Sequence, residues 1–142
     1  MEDPWLQETI YQLKDSLRGE EILHPRNMGA IAILSLKTQA ALSVEMATVW
    51  STRRAIKHIL DKNDGEFLIA KTPEIIASHE SVYKSKELDK ETGRPRILLI
   101  KRYPDGKDLF SVIEVKLAGE KNQLVTTARV GKRYLESLER IR

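Results

Sequence analysis

The stretch Arg96–Val130, RILLIKRYPDGKDLFSVIEVKLAGEKNQLVTTARV, decides the fold. Aliphatic and β-branched residues fill three runs, Arg96–Tyr103, Leu109–Leu117 and Asn122–Val130. The breaks between them, Pro104-Asp105-Gly106 and Gly119-Glu120-Lys121, hold the residue types that hairpin connections use. The pattern predicts consecutive antiparallel strands. After them, Tyr134, Leu135, Leu138 and Ile141 recur at helical spacing, so Lys132–Arg142 is expected to close the chain as a helix.

Working back towards the start, the pattern changes from strand to helix. Trp5, Leu6, Ile10, Leu13 and Leu17 form the apolar side of an amphipathic helix, with Pro4 at its start and Gly19 after its end. His24–Asn27 reads as a turn around Pro25, Lys37–Leu42 as a short helix, and Val44–Trp50 as a short strand. Ser51 is an N-cap for a helix from Thr52 to Lys62, which Asn63-Asp64-Gly65 ends. Thr72-Pro73-Glu74 looks like the start of a further helix that stops near His79, and Lys84–Pro95 reads as a polar surface loop. Helices first, then a three- to four-stranded antiparallel sheet, then a C-terminal helix make an α+β domain.

Composition narrows the chemistry. The 142 residues suit one domain with a single core, and the absence of cysteine excludes disulfides, a thiol nucleophile and thiolate zinc sites. The apolar run Met28–Leu34 is too short to cross a bilayer and the acidic opening Met1–Asp3 is unlike a signal peptide. The expectation is a soluble, unprocessed, cytoplasmic chain with no membrane partner, although a domain delivered inside a larger toxin would read the same way. Charge is uneven: residues 1–93 hold 12 Lys and Arg against 15 Asp and Glu, and residues 94–142 hold 12 against 6. Such a basic third attracts polyanions, and it is also an ordinary lysine-rich surface.

Three histidines carry the groups that titrate nearest neutrality. His24 and His79 read as solvated or capping residues. His58 sits with Arg53, Arg54, Lys57 and Asp61 on the polar side of the third helix, opposite Ala55, Ile56, Ile59 and Leu60. An imidazole among fixed cations suits phosphodiester cleavage, which needs a proton carrier and stabilisation of a crowded phosphate. A basic solvated helix face accounts for the same residues. On the last strand, alternation puts Leu124, Thr126, Ala128 and Val130 towards the helices and leaves Thr127 and Arg129 on the opposite face, able to grip a phosphate. Threonine there also fits simply as a β-branched strand former. Phosphate-binding glycine loops, a His-Glu-x-x-His helix and a Gly-x-Ser-x-Gly elbow are absent, and the three predicted strands between Arg96 and Val130 carry only the carboxylate of Glu114, which disfavours metal catalysis. No cofactor is expected.

Val49-Trp50-Ser51-Thr52 leading into Lys57-His58, then Thr72-Pro73-Glu74-Ile75-Ile76, Ile97–Lys101, Phe110–Val115 and Leu124–Ala128, resembles in order the phage-associated branch of the barnase, EndoU, colicin and RelE ribonuclease superfamily. The resemblance covers residues 49–138. It implies a nuclease domain over residues 49–142, with residues 1–48 as an accessory helical segment in one compact unit. It implies an endoribonuclease of the toxin type that acts on RNA, with His58 and Thr127 as the catalytic pair and Arg54, Lys57 and Arg129 as substrate-binding support. An immunity or antitoxin protein and a homodimer through the N-terminal helix are the partners it suggests. Arg129 stands where such a strand would carry an aromatic. A non-catalytic RNA-binding or phage-assembly module and a purely structural, self-associating protein are the rival readings.

Overall fold

The computed structural model describes residues 5–15, 28–44, 46–88, 95–102, 108–114 and 122–141. In chain order the elements are α1 (Trp5–Asp15), β1 (Met28–Ile33), α2 (Leu36–Leu42), β2 (Thr48–Thr52), α3 (Arg53–Leu60), α4 (Gly65–Ser78), β3 (Ser81–Leu88), β4 (Pro95–Arg102), β5 (Asp108–Glu114), β6 (Asn122–Val130), α5 (Lys132–Glu136) and β7 (Glu139–Arg140). The fold is α+β, as the pattern of runs implies. His24, the turn around it and the two hairpin connections lie outside the described residues.

The expected meander is present as β4, β5 and β6, which pair antiparallel in sequence order, and β3 extends it by pairing antiparallel with β4. The sheet is larger than the meander. Among the described residues seven strands run in the order β1-β2-β6-β5-β4-β3-β7, and β2 joins β6 in parallel through Val49↔Asn122 and Trp50↔Gln123. Asn122, fully buried, fastens that junction by donating from Nδ2 to the carbonyls of Met46 at 2.6 Å and Thr48 at 3.2 Å. Residues 1–48, expected as helical, supply an edge strand to the same sheet. β1 was hidden because Met28–Ile33 is apolar throughout, and a short unbroken apolar run carries no period.

Alternation along β4 separates two cores. Ile97 and Leu99 join the main core with Val49, Leu124, Ile56, Ile59, Leu68, Ile69, Ile75 and Ile76, whereas Leu98 and Ile100 point to the opposite face and meet Leu135, Tyr83, Val125 and Leu138. Helices α1, α3 and α4 therefore cover one face, and α5 covers part of the other. Trp5 is completely buried over Gly29, where a Cβ would overlap its indole ring. Trp5 and Leu6 of α1 thus belong to the chain's own core, with Ile10 packed against it.

Three boundaries differ from expectation. α4 begins at Gly65 and passes through Pro73, because Leu68, Ile69, Thr72, Ile75 and Ile76 form one continuous buried row. An internal proline costs about 3 kcal/mol, but each buried Leu or Ile returns about 1.5–3 kcal/mol, so the row wins. Gly65 itself lets this helix start against the last carbonyls of α3, where a Cβ would collide with those of Ile59 and Leu60. The first part of the expected polar loop, Lys84–Leu88, belongs to strand β3, which pairs with β4 and with the two-residue β7. That last pairing shortens the final helix, and the Ile141 N–H donates to the Val82 carbonyl at 2.7 Å.

Candidate nucleic-acid interface

The helix that carries His58 starts directly from a strand. Thr52 ends β2 in extended conformation, and its hydroxyl accepts the Ala55 N–H at 3.1 Å, so the cap is one residue later than the expected Ser51. Ser51 is instead buried. Ile56 and Ile59 are fully buried below, and Arg54, Lys57 and His58 are exposed above, as the amphipathic pattern requires. Lys57 and His58 occupy the last turn, where the helix dipole favours cations. Positions 54 and 58 are neighbours on the surface, and the same spacing of four continues to Lys62 just past the helix end.

Lys62 reaches the sheet. After Gln123, β2 leaves β6 to become α3, so the outer edge of β6 has no strand partner among the described residues. The Lys62 ammonium donates to the Thr127 carbonyl on that edge at 2.8 Å and to the Thr126 hydroxyl at 2.8 Å. Its burial there holds its pKa below the usual lysine value, and the nearby Asp64 carboxylate partly offsets the effect. Asp64 accepts from Arg129 Nε at 2.6 Å, and this hydrogen bond, helped by the charges of Arg129 and Lys62, keeps its carboxyl below the usual aspartate value. The Arg129 guanidinium lies 5.3 Å from the centre of the Phe67 ring, a cation–π arrangement.

Thr127 is placed differently from expectation. The β5–β6 ladder pairs Val112 with Thr126 and Ile113 with Leu124, leaving Val125 as an extra, bulged residue. The bulge reverses the alternation beyond it, so Leu124 faces the helices, Val125 faces the opposite core, and Thr127 faces the helices again. Thr127 is fully buried, with its hydroxyl 2.8 Å from that of Thr72 in α4. Thr72 already donates to the Leu68 carbonyl at 2.8 Å, so the Thr127 hydroxyl donates to Thr72. A side chain sealed in this way touches no substrate, and it shares no solvent-facing pocket with the exposed His58 imidazole. Arg129, on the helix side too, is held by Asp64.

His79 takes the capping role of the two expected for it, at the end of α4, and it is buried. Its Nδ1 lies 2.9 Å from the Ile76 carbonyl and can only donate to it, which leaves Nε2 to accept from the Thr38 hydroxyl of α2. The ring therefore ends α4 and ties it to α2.

Of the residues singled out in the sequence, the structure gathers Arg54, Lys57 and His58 on one exposed face and brings Arg129 to the end of that face through Lys62 and Asp64. Lys62, Asp64, Phe67 and Thr126 were not singled out. The four-residue spacing Arg54, His58, Lys62 was the one local sign of any of them. Two grooves, one between α1, β1 and α4 and one beside Lys84, Ile97 and Arg140, include none of these residues. Among the described residues no three His, Asp or Glu side chains come together as metal ligands, and no helix is long and apolar enough to cross a membrane. Comparison with protein families, with curated proteins and with solved structures finds no match to the chain.

Proposed function

We propose that the chain is an endoribonuclease that cleaves RNA through the 2′-hydroxyl, with His58 as the proton-transfer residue. The observation that carries this reading is the exposed imidazole of His58 flanked on α3 by the exposed cations Arg54 and Lys57. An imidazole carries protons at neutral pH, and fixed cations draw the backbone of RNA towards it. In the step proposed, His58 takes the 2′-hydroxyl proton, the 2′-oxygen bonds to phosphorus, and the bond to the 5′-oxygen breaks as that oxygen takes a proton from water. The product is a 2′,3′-cyclic phosphate and a free 5′-hydroxyl. The resemblance of the order of segments to the barnase, EndoU, colicin and RelE superfamily supports the same reading, and a toxin role with an inhibitor protein follows from that resemblance.

The test is incubation of the purified chain with mixed-sequence RNA at neutral pH, with and without a chelator. Cleavage with cyclic-phosphate ends in both conditions, reduced about 10²–10⁴-fold by His58→Ala, is the expected result. Intact RNA in every condition would end the enzymatic reading. The burial of Thr127 and the pairing of Arg129 with Asp64 favour a second reading, a non-catalytic RNA-binding module. That module would bind RNA in a salt-dependent way without breaking it.

A further inference from the structure

We propose that Lys62, Thr126 and Arg129 form a phosphate-binding site for one phosphodiester of single-stranded RNA at the open edge of β6. The proposal deepens the ribonuclease reading by moving the phosphate grip from the buried Thr127 to its neighbour.

Donor counting supports it. An ammonium has three N–H bonds, and Lys62 directs two of them to the Thr126 hydroxyl and the Thr127 carbonyl, which leaves the third. Thr126 accepts from Lys62, so its own proton remains to be donated. Arg129 gives Nε to Asp64 and keeps its terminal N–H groups, on a side chain that is 37% exposed. The two cations, Lys62 and Arg129, act on the one carboxylate of Asp64, and Thr126 is joined to them through Lys62 at the strand edge. The surplus positive charge suits a phosphodiester monoanion.

Preorganisation supports it further. The Lys62 head is fixed by two hydrogen bonds, and the Arg129 plane is fixed by Asp64 and Phe67, so little side-chain freedom is lost when an anion arrives. The stacked guanidinium also offers a flat face for a neighbouring base, in place of the aromatic that the last strand lacks. His58 lies one helical turn before Lys62, and the phosphate would therefore sit beside the proposed proton carrier.

The probe is a 2′-deoxy oligonucleotide, which binds as a phosphodiester chain but has no 2′-hydroxyl to react. Titrated into the isotope-labelled chain, it should shift the backbone amides of residues 62–64 and 126–129. Lys62→Met and Thr126→Val should each weaken binding about tenfold, a loss of about 1.4 kcal/mol. Asp64→Asn, which removes the competing anion, should tighten binding, and this gain cannot come from misfolding. Lys84→Ala, three strands away in β3, should change nothing. Wild-type affinity in both Lys62→Met and Thr126→Val, or weaker binding by Asp64→Asn, would overturn the site. Binding that depends on Lys62 and Thr126 without any RNA cleavage would sink only the enzymatic reading, and cleavage that ignores both residues would sink only the phosphate site.

Discussion

The Thr127 hydroxyl lies 2.8 Å from the Thr72 hydroxyl inside the main core, joining β6 to α4. Thr127→Val keeps the shape and removes one donor while Thr72 still bonds the Leu68 carbonyl. The expected cost is about 1 kcal/mol, the net worth of an ordinary hydrogen bond, read as a lower urea midpoint. RNA affinity should be unchanged. Loss of cleavage at unaltered stability would return Thr127 to the reacting atoms.

The exposed row on α3 should act on nucleic acid and not on folding. Arg54→Ala and Lys57→Ala are expected to alter stability by no more than about 0.5 kcal/mol, as surface changes do. Each should reduce the slope of log affinity against log salt by about 0.7 for single-stranded RNA. A slope identical to that of the unaltered chain would remove α3 from the interface.

Gly29 and Trp5 make the opposite prediction, a structural effect far from the basic surface. Gly29→Ala drives a methyl group into a fully buried indole ring and should cost about 1–3 kcal/mol by overpacking. Trp5→Ala should cost about 3–5 kcal/mol by emptying the same space. Thermal unfolding distinguishes this arrangement from a loosely attached N-terminal helix, for which both changes would be nearly silent.

Asp64 and Lys62 give the cluster a pH dependence with a definite sign. The Asp64 carboxyl is held below its ordinary value in the folded chain, so its contribution is complete above the unfolded carboxylate range and is lost as pH falls through the lowered value. Lys62 is held below its ordinary value by burial. The penalty on its charged form is present at neutral pH and is relieved as pH rises from that lowered value towards the ordinary lysine range. The stability difference between the native chain and Asp64→Asn should therefore vanish in acid. A difference that persists at low pH would show that charge plays no part in it.

Elements governed by local periodicity were legible before any coordinates. The strands of the meander, the α1 stripe and the division of α3 into a buried Ile56–Ile59 side and an exposed Arg54–His58 side all follow from near-neighbour spacing. The start of α4 was misread at Pro73, whose local signal is a helix start. The chain resolved the conflict through buried residues on both sides of the proline. β3 and β7 were missed because Ser81–Leu88 is polar, and its strand state rests on pairing with β4.

By itself the sequence determined the α+β class, the order of the meander and the presence of a cationic helix face that bears one histidine, because each depends on residues within a turn or two of one another. Which way Thr127 and Arg129 point, and that Lys62 meets Thr126 across 64 positions, was decided only in three dimensions. One extra residue at Val125 reverses every side chain after it, and that bulge exists only in the register between β5 and β6. The open edge that Lys62 covers arises where β2 turns away from β6, a parallel contact between residues far apart in the chain.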